Sequence, residues 1–293
     1  RGDLAFVRLA PDERKNLGRR TEALNSADIA ILCLPDDAAR EAVALIRNDR
    51  TRIIDASSAH RTAPGWVYGF PELSAGQESA IARAPRVSNP GCYPTGVISL
   101  LRPLIAAGLL PADYPYTVNA VSGYSGGGKA MIAAFEDEAS PDFTHAAFRL
   151  YALGLEHKHT DEIQVHAGLA HRPLFAPSVA RVRQGMLVSV PLQLRSLQVR
   201  PSLSALHEAL AVAYRGQALI EVVPLKECQA IGAAGSLDKR LPQPDTLKGT
   251  NRLRLFVFGS DAHAQALLVA QLDNLGKGAS GQAVQCLDLM LRA

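Results

Sequence analysis

In the first third of the chain, apolar residues fall in short blocks separated by polar stretches of helical period. Residues 4–9 and 27–34 read as strands, 38–47 as a helix, and 52–56 as a further strand. Strand, helix and strand at this spacing predict a parallel βαβ arrangement. Ligands of such sheets gather at the carboxyl ends of the strands, here Leu34-Pro35-Asp36-Asp37 and Asp55-Ala56-Ser57-Ser58. A domain of this kind normally opens with a strand, a glycine-rich turn and a helix, yet no G-x-G-x-x-G precedes Ala27. The chain is therefore expected to start inside the domain, short of about 20 to 30 residues, the size of one such unit.

From Tyr116 onward the pattern changes. Residues 116–121, 163–168, 179–182, 187–194, 220–223 and 250–258 read as strands, and 129–138 and 203–214 as helices, which makes a mixed α+β lobe. Residues 262–275 and 281–291 carry apolar stripes of helical period.

Composition narrows the class without naming it. With 47% apolar and 20% charged residues in 293, the chain is expected to fold and bury a core. No run approaches the length of a membrane span, and Arg1-Gly2-Asp3-Leu4 is not the start of a signal peptide, so the reading is cytoplasmic, with no membrane partner. The net charge of +3 is spread without basic runs, which gives no support to nucleic acid as a partner. Cys33, Cys92, Cys228 and Cys286 lie far apart with no C-x-x-C pair, against a structural zinc site or a disulfide framework.

Among the cysteines, Cys92 stands out. In Ser88-Asn89-Pro90-Gly91-Cys92-Tyr93-Pro94-Thr95-Gly96 it follows a forced turn and comes just before the helical run 97–107. A thiol at a helix start meets the dipole and free N–H groups, which favour the nucleophilic thiolate. A free cysteine is otherwise a small core residue, the reading given to Cys33 and Cys286, while Cys228 lies in a polar stretch. A nucleophile needs an acid/base partner. His157-Lys158-His159-Thr160-Asp161-Glu162 supplies candidates, and a helix starting there puts His159 and Glu162 on one face. His157, His159, His166 and His171 have no zinc-signature spacing, so no metal is expected.

Two small-residue loops complete the set. Ser122-Gly123-Tyr124-Ser125-Gly126-Gly127-Gly128-Lys129 lies between a strand and a helix, the setting of an anion cradle. It satisfies G-x-x-x-x-G-K, but Ala130 stands where an NTPase loop needs Ser or Thr for magnesium. Asn274-Leu275-Gly276-Lys277-Gly278-Ala279-Ser280-Gly281-Gln282 opens onto a helix with Lys277 placed to meet an anion, or is a plain interhelical turn.

Taken in order, SNPGCYPTG (88–96), SGYSGGGK (122–129), HKHTDEI (157–163) and NLGKGASGQAVQ (274–285) resemble the short, type 2 form of the N-acetyl-γ-glutamyl-phosphate reductases of arginine biosynthesis, with the likeness running from Leu4 to Met290. The resemblance implies a Rossmann-type NADP-binding domain (1–91 and 263–293) around an inserted mixed α+β catalytic and dimerisation domain (92–262). It implies a thioester on Cys92, His159 as acid/base, and hydride from NADPH to an acyl-phosphate substrate. Glu162 would bind substrate or orient His159, and Arg61, Ser125, Gly126 and His157 would contact substrate. Leu34, Pro35, Ser57, Ser58, Asn89, Pro90, Asn274, Lys277 and Gly278 would surround NADP. Arg8, Arg14 and Lys15 could meet a 2′-phosphate. The assembly would be a homodimer or homotetramer. Aspartate-semialdehyde dehydrogenase, a carrier-protein-linked reductase and a non-catalytic nucleotide sensor are the competing readings.

Overall fold

The computed structural model describes residues 4–292; residues 1–3, on which the signal-peptide reading falls, and residue 293 lie outside them. The chain divides into two compact units, one of Arg1–Pro71, Gly76–Pro90 and Ala283–Ala293, the other of Glu72–Ala75 and Gly91–Gln282.

The first unit contains α1 (Leu17–Ser26), β1 (Ile29–Leu32), α2 (Asp36–Leu45), β2 (Arg52–Asp55), β3 (Val67–Tyr68), α3 (Gln77–Arg83) and β4 (Arg86–Ser88). The strands form an all-parallel sheet in the order β1-β2-β4-β3. Both faces are covered, as parallel sheets require. Successive strand residues point to opposite sides: Ile53 packs with Ala30, Leu32 and Ala42, and Ile54 with Ile81, Val87, Cys286 and Met290. The Arg52 guanidinium donates to the carbonyls of Ala82, Ala84 and Met290, neutralising helix ends where carbonyls lack partners. Residues 4–9, expected as a strand, have no regular structure.

The second unit contains α4 (Cys92–Ala106), β5 (Thr117–Gly123), α5 (Gly128–Glu136), β6 (Phe148–Leu150), α6 (Thr160–Ala167), β7 (Leu174–Ala180), β8 (Met186–Gln193), α7 (Leu203–Ala213), β9 (Ile220–Val222), α8 (Leu225–Gly232), β10 (Leu253–Ser260) and β11 (Gln265–Leu272). Its mixed sheet runs β6-β7-β5-β8-β11-β10-β9. Helix α4 lies close on this sheet because Gly96 has no Cβ; one added there would stand 2.9 Å from Val188 Cγ2. Pro103 inside α4 has no N–H to give the Ser99 carbonyl, and the Tyr214 hydroxyl donates to it at 2.9 Å instead. A last helix, α9 (Gly281–Met290), begins in this unit and from Ala283 belongs to the first.

Three expectations are corrected. Residues 262–275 are not a helix: β11 pairs antiparallel with β8 and β10 along its whole length, and its residues 268–272 are all buried, which erases the alternation of a half-buried strand there. With β11 in the larger sheet, the chain leaves the second unit at Gln282, not at 262, so the expected boundary at 262/263 moves to 282/283. Residues 163–167 belong to helix α6 and Gly168 is its C-cap, so the segment is not a strand.

Candidate active site

Helix α4 starts on Gly91, whose extended backbone (φ −74°, ψ 154°) carries no side-chain cap, and Cys92 is its first residue. The thiol is half-buried at an end where backbone N–H groups lack helical partners. The turn before it is held from another element. The Gly91 N–H donates to Glu162 Oε1 at 2.8 Å, and Glu162, in the first turn of α6, is 2% exposed. The expected carboxylate is therefore here, and it braces the cysteine's own turn.

His159 is the N-cap residue of α6 and is buried. Its backbone N–H donates to His157 Nδ1 at 3.1 Å, which requires a lone pair on that nitrogen. Burial, helped by the charge of Lys158, pushes the His157 pKa down to about 4. His157 is thus neutral at ordinary pH with its proton on Nε2. Both imidazoles meet the ring of Tyr93, the residue after Cys92, with centroids 5.8 Å away in each case. Phe175 closes the aromatic group 5.1 Å from Tyr93 and from His157. The Tyr93 hydroxyl donates to the Ser178 carbonyl at 3.3 Å and accepts from Tyr151 at 3.0 Å. Burial raises both phenol pKa values, that of Tyr151 to about 12, so neither ionises near neutrality. Neither tyrosine was singled out from sequence, although Tyr93 adjoins Cys92.

The glycine-rich turn at 123–128 differs from an open cradle. The N–H groups of Gly123, Tyr124 and Ser125 donate to the carbonyls of Gly185, Val182 and Arg183. The exposed part begins at Gly126. Ser125 is buried, and its hydroxyl accepts from Asn274 Nδ2 at 3.0 Å while Asn274 Oδ1 accepts from Gly185 N–H at 2.7 Å. Asn274 thereby clamps two loops together.

The second loop turns through a π-helical stretch, Gly276–Ser280. Lys277 does not face an open anion site: it is fully buried, its ammonium 2.8 and 2.9 Å from the two carboxylate oxygens of Glu72. Gly278, expected near the cofactor, abuts Cys92, since a Cβ on it would stand 2.7 Å from Cys92 Cβ. Asp273, unnoticed in the sequence, is fully buried and accepts from Leu275 N–H and Gly249 N–H.

In the first unit, the segments predicted to hold a dinucleotide converge at the carboxyl ends of β1, β2 and β4. Pro35 is the N-cap residue of α2, and Asp36 beside it accepts from Ser58 N–H and Oγ. Asp55 accepts from Ser57 N–H and Oγ, and its carbonyl accepts from Asn89 N–H. Arg61 donates through Nε to the Asn89 carbonyl and through its terminal nitrogen to that of Ala56. Leu34 is partly exposed and Pro90 buried. These groups fit a dinucleotide lying over strand ends: the serine hydroxyls fix the turns on Asp36 and Asp55, and a hydroxyl oxygen that donates can still accept, as Ser57 does from Ala59 N–H.

Cys33 is exposed at the end of β1 and Cys228 is buried in α8, each opposite to or more definite than its sequence setting; Cys286 is core. Among the described residues no group of three or more His, Cys, Asp and Glu is placed to hold a metal ion. No described helix is long and apolar enough to cross a membrane.

Comparison with known proteins shows the family and the fold. Residues 4–81 match the family model of the semialdehyde dehydrogenase NAD binding domain, and residues 92–274 that of the semialdehyde dehydrogenase dimerisation domain. N-acetyl-gamma-glutamyl-phosphate reductase 2 of Pseudomonas putida is 56% identical over 293 residues, which cover 100% of this chain and 90% of that protein. N-acetyl-gamma-glutamyl-phosphate reductase of Burkholderia ambifaria is 56% identical over 291 residues, 99% of this chain and 89% of the relative. The crystal structure of aspartate semialdehyde dehydrogenase II from Vibrio cholerae shares the fold at a TM-score of 0.66 and 17% identity, over 92% of this chain and 81% of that one. The chain belongs to the N-acetyl-gamma-glutamyl-phosphate reductase family, on the two-domain framework of the semialdehyde dehydrogenases.

Proposed function

We propose that this chain reduces N-acetyl-γ-glutamyl phosphate to N-acetylglutamate semialdehyde and phosphate with NADPH, by way of a thioester on Cys92. The observation that carries the reading is Cys92 as first residue of α4, on a turn held by Glu162 of the helix that His159 caps.

The helix start favours the thiolate, which attacks the acyl carbon. A C–S bond forms, the C–O bond to phosphate breaks, and the proton from the thiol passes through His159 to the departing phosphate. His157 offers Nε2–H to a substrate oxygen, and Arg61, Ser125, Gly126 and Glu162 are the further substrate contacts we assign. When bound, NADPH supplies the hydride that the thioester carbon takes up. The C–S bond then breaks, its electron pair returns to Cys92, and the aldehyde leaves. Leu34, Pro35, Ser57, Ser58, Asn89 and Pro90 would hold the dinucleotide, with Asn274 and Gly278 lining the approach to Cys92.

The reading extends to assembly as a homodimer or homotetramer. Val188 and Ala270 face α4; their strand neighbours Leu187 and Val269 point to the other side of the sheet. There an apolar cavity of about 940 Å³ is lined by Phe148, Leu150, Leu187, Phe258, Leu267 and Val269. Phe148 and Leu150 are more than half exposed, an apolar face of the kind a second copy covers. Light scattering on Leu150→Asp should then give a smaller particle than wild type; an unchanged mass would place the interface elsewhere.

The activity is tested in reverse, with N-acetylglutamate semialdehyde, phosphate and NADP⁺, following NADPH absorbance beside Cys92→Ala. Phosphate-dependent NADPH formation that is lost in the variant is the expected result. Turnover with aspartate semialdehyde alone would overturn the substrate, and silence with both, cofactor binding being confirmed, would favour a sensor.

A further inference from the structure

Glu72 and Lys277 form a buried ion pair that the steps above do not use. Their side chains are 1% and 0% exposed, and both carboxylate oxygens engage the ammonium. Desolvating two charges commonly cancels most of their attraction, so well-packed apolar residues would fill the same space at least as stably. A pair of this kind is better explained by what it holds in place than by stability.

It holds the turn Gly276–Ser280. The turn is fastened at its base, where Gly278 N–H donates to the Asp273 carbonyl and Ser280 N–H to the Leu275 carbonyl, each at 2.9 Å. Its two flanking glycines allow contact that a side chain would block: a Cβ at Gly276 would lie 2.0 Å from the Thr250 carbonyl oxygen, and one at Gly278 2.7 Å from Cys92 Cβ. Lys277 stands between them. Its tether to Glu72 fixes how far the backbone at Gly278 reaches toward the cysteine, from a segment 205 residues away in sequence.

We infer that the Glu72–Lys277 ion pair is a positioning device for the nucleophile, setting the Gly278 backbone against Cys92 and with it the placement of the sulfur. Neither residue is a catalytic residue; both act through Gly278. The inference rests on the reading of Cys92 as the nucleophile.

The test uses full-length protein in two variants. Glu72→Leu with Lys277→Met removes both charges, so the net charge stays the same and the volume is nearly kept. Glu72→Asp keeps the charges and shortens the tether by one methylene. Each is measured for melting temperature, for kcat and KM in the reverse assay, and for the pH profile of iodoacetamide labelling read on the Cys92 peptide, because Cys33 is exposed as well. Both variants are expected to fold and to lose about tenfold in kcat with KM little changed, as a sub-ångström misplacement of a reacting group does. The midpoint of Cys92 labelling should move to higher pH. Wild-type kcat or a wild-type labelling profile in a folded variant overturns the inference, and Glu72→Asp alone decides should the double variant not fold. Turnover retained by Cys92→Ala is a distinct result, which removes the nucleophile reading itself.

Discussion

Gly278→Ala isolates one contact. The backbone at Gly278 is outside the left-handed region, so alanine brings no dihedral strain and acts only through its added carbon. That carbon would lie 2.7 Å from Cys92 Cβ, 3.1 Å from Cys92 Cα and 3.2 Å from the Asp273 carbonyl oxygen. Carbon pairs rest at about 3.5–4.0 Å. Cys92 or the 276–280 turn must therefore give way by roughly 1 Å. Cys92 is fixed by the Gly91–Glu162 bond, and the turn by Asp273 and Lys277, so the strain is shared. Overpacking of this kind costs about 1–3 kcal/mol of stability. A full 1 Å at the reacting atom would lower kcat on the order of 10²-fold, so the share that Cys92 takes should lower it by about tenfold or more. The measurement is kcat in the reverse assay together with a thermal melt, the melt showing that the loss is not unfolding. A folded variant with kcat within about threefold of wild type, less than 1 kcal/mol in barrier, would refute the claim that Gly278 sets the position of Cys92.

Glu162→Ala leaves the Gly91 N–H without its acceptor and should cost about 1–3 kcal/mol, with a fall in kcat; Glu162→Gln, which can still accept, should recover most of the melting temperature. Asn274→Ala removes the acceptor of the buried Gly185 N–H and the donor to Ser125 at once, and denaturant unfolding should show a loss of about 1–3 kcal/mol. The folded His157 pKa, about 4, lies below the ordinary 6.5, so between these values the unfolded chain binds a proton that the folded one does not. This contribution is complete above pH 6.5 and is lost as pH falls toward 4; His157→Gln should flatten that part of the melting-temperature profile, and an unchanged slope would count against the burial of a neutral imidazole.

Much of the first unit was legible because parallel strands leave continuous apolar blocks between amphipathic helices. The cysteine turn was legible because Pro90, Gly91 and Pro94 punctuate it. Helix α6 was harder, since Ile163 and Val165 alternate as in a strand; its start is fixed by the Thr160 hydroxyl on the His157 carbonyl. Strand β11 misled for the opposite reason: its unbroken apolar run Ala266–Ala270 fits either period, and only its ladders to β8 and β10 decide.

The turn at 274–282 shows what local sequence could not carry. Glycines flanking a lysine before a helix have the composition of an anion site, because both anion loops and close-packed turns need residues without Cβ. The two differ in where the lysine's charge goes, and its partner, Glu72, lies in a distant segment with no signal of its own. Once the ammonium is matched there, the glycines take a different meaning. They mark where backbone presses on Thr250 and on Cys92, so the small residues of this loop are there for contact, and the position of Cys92 depends on a carbon that Gly278 lacks.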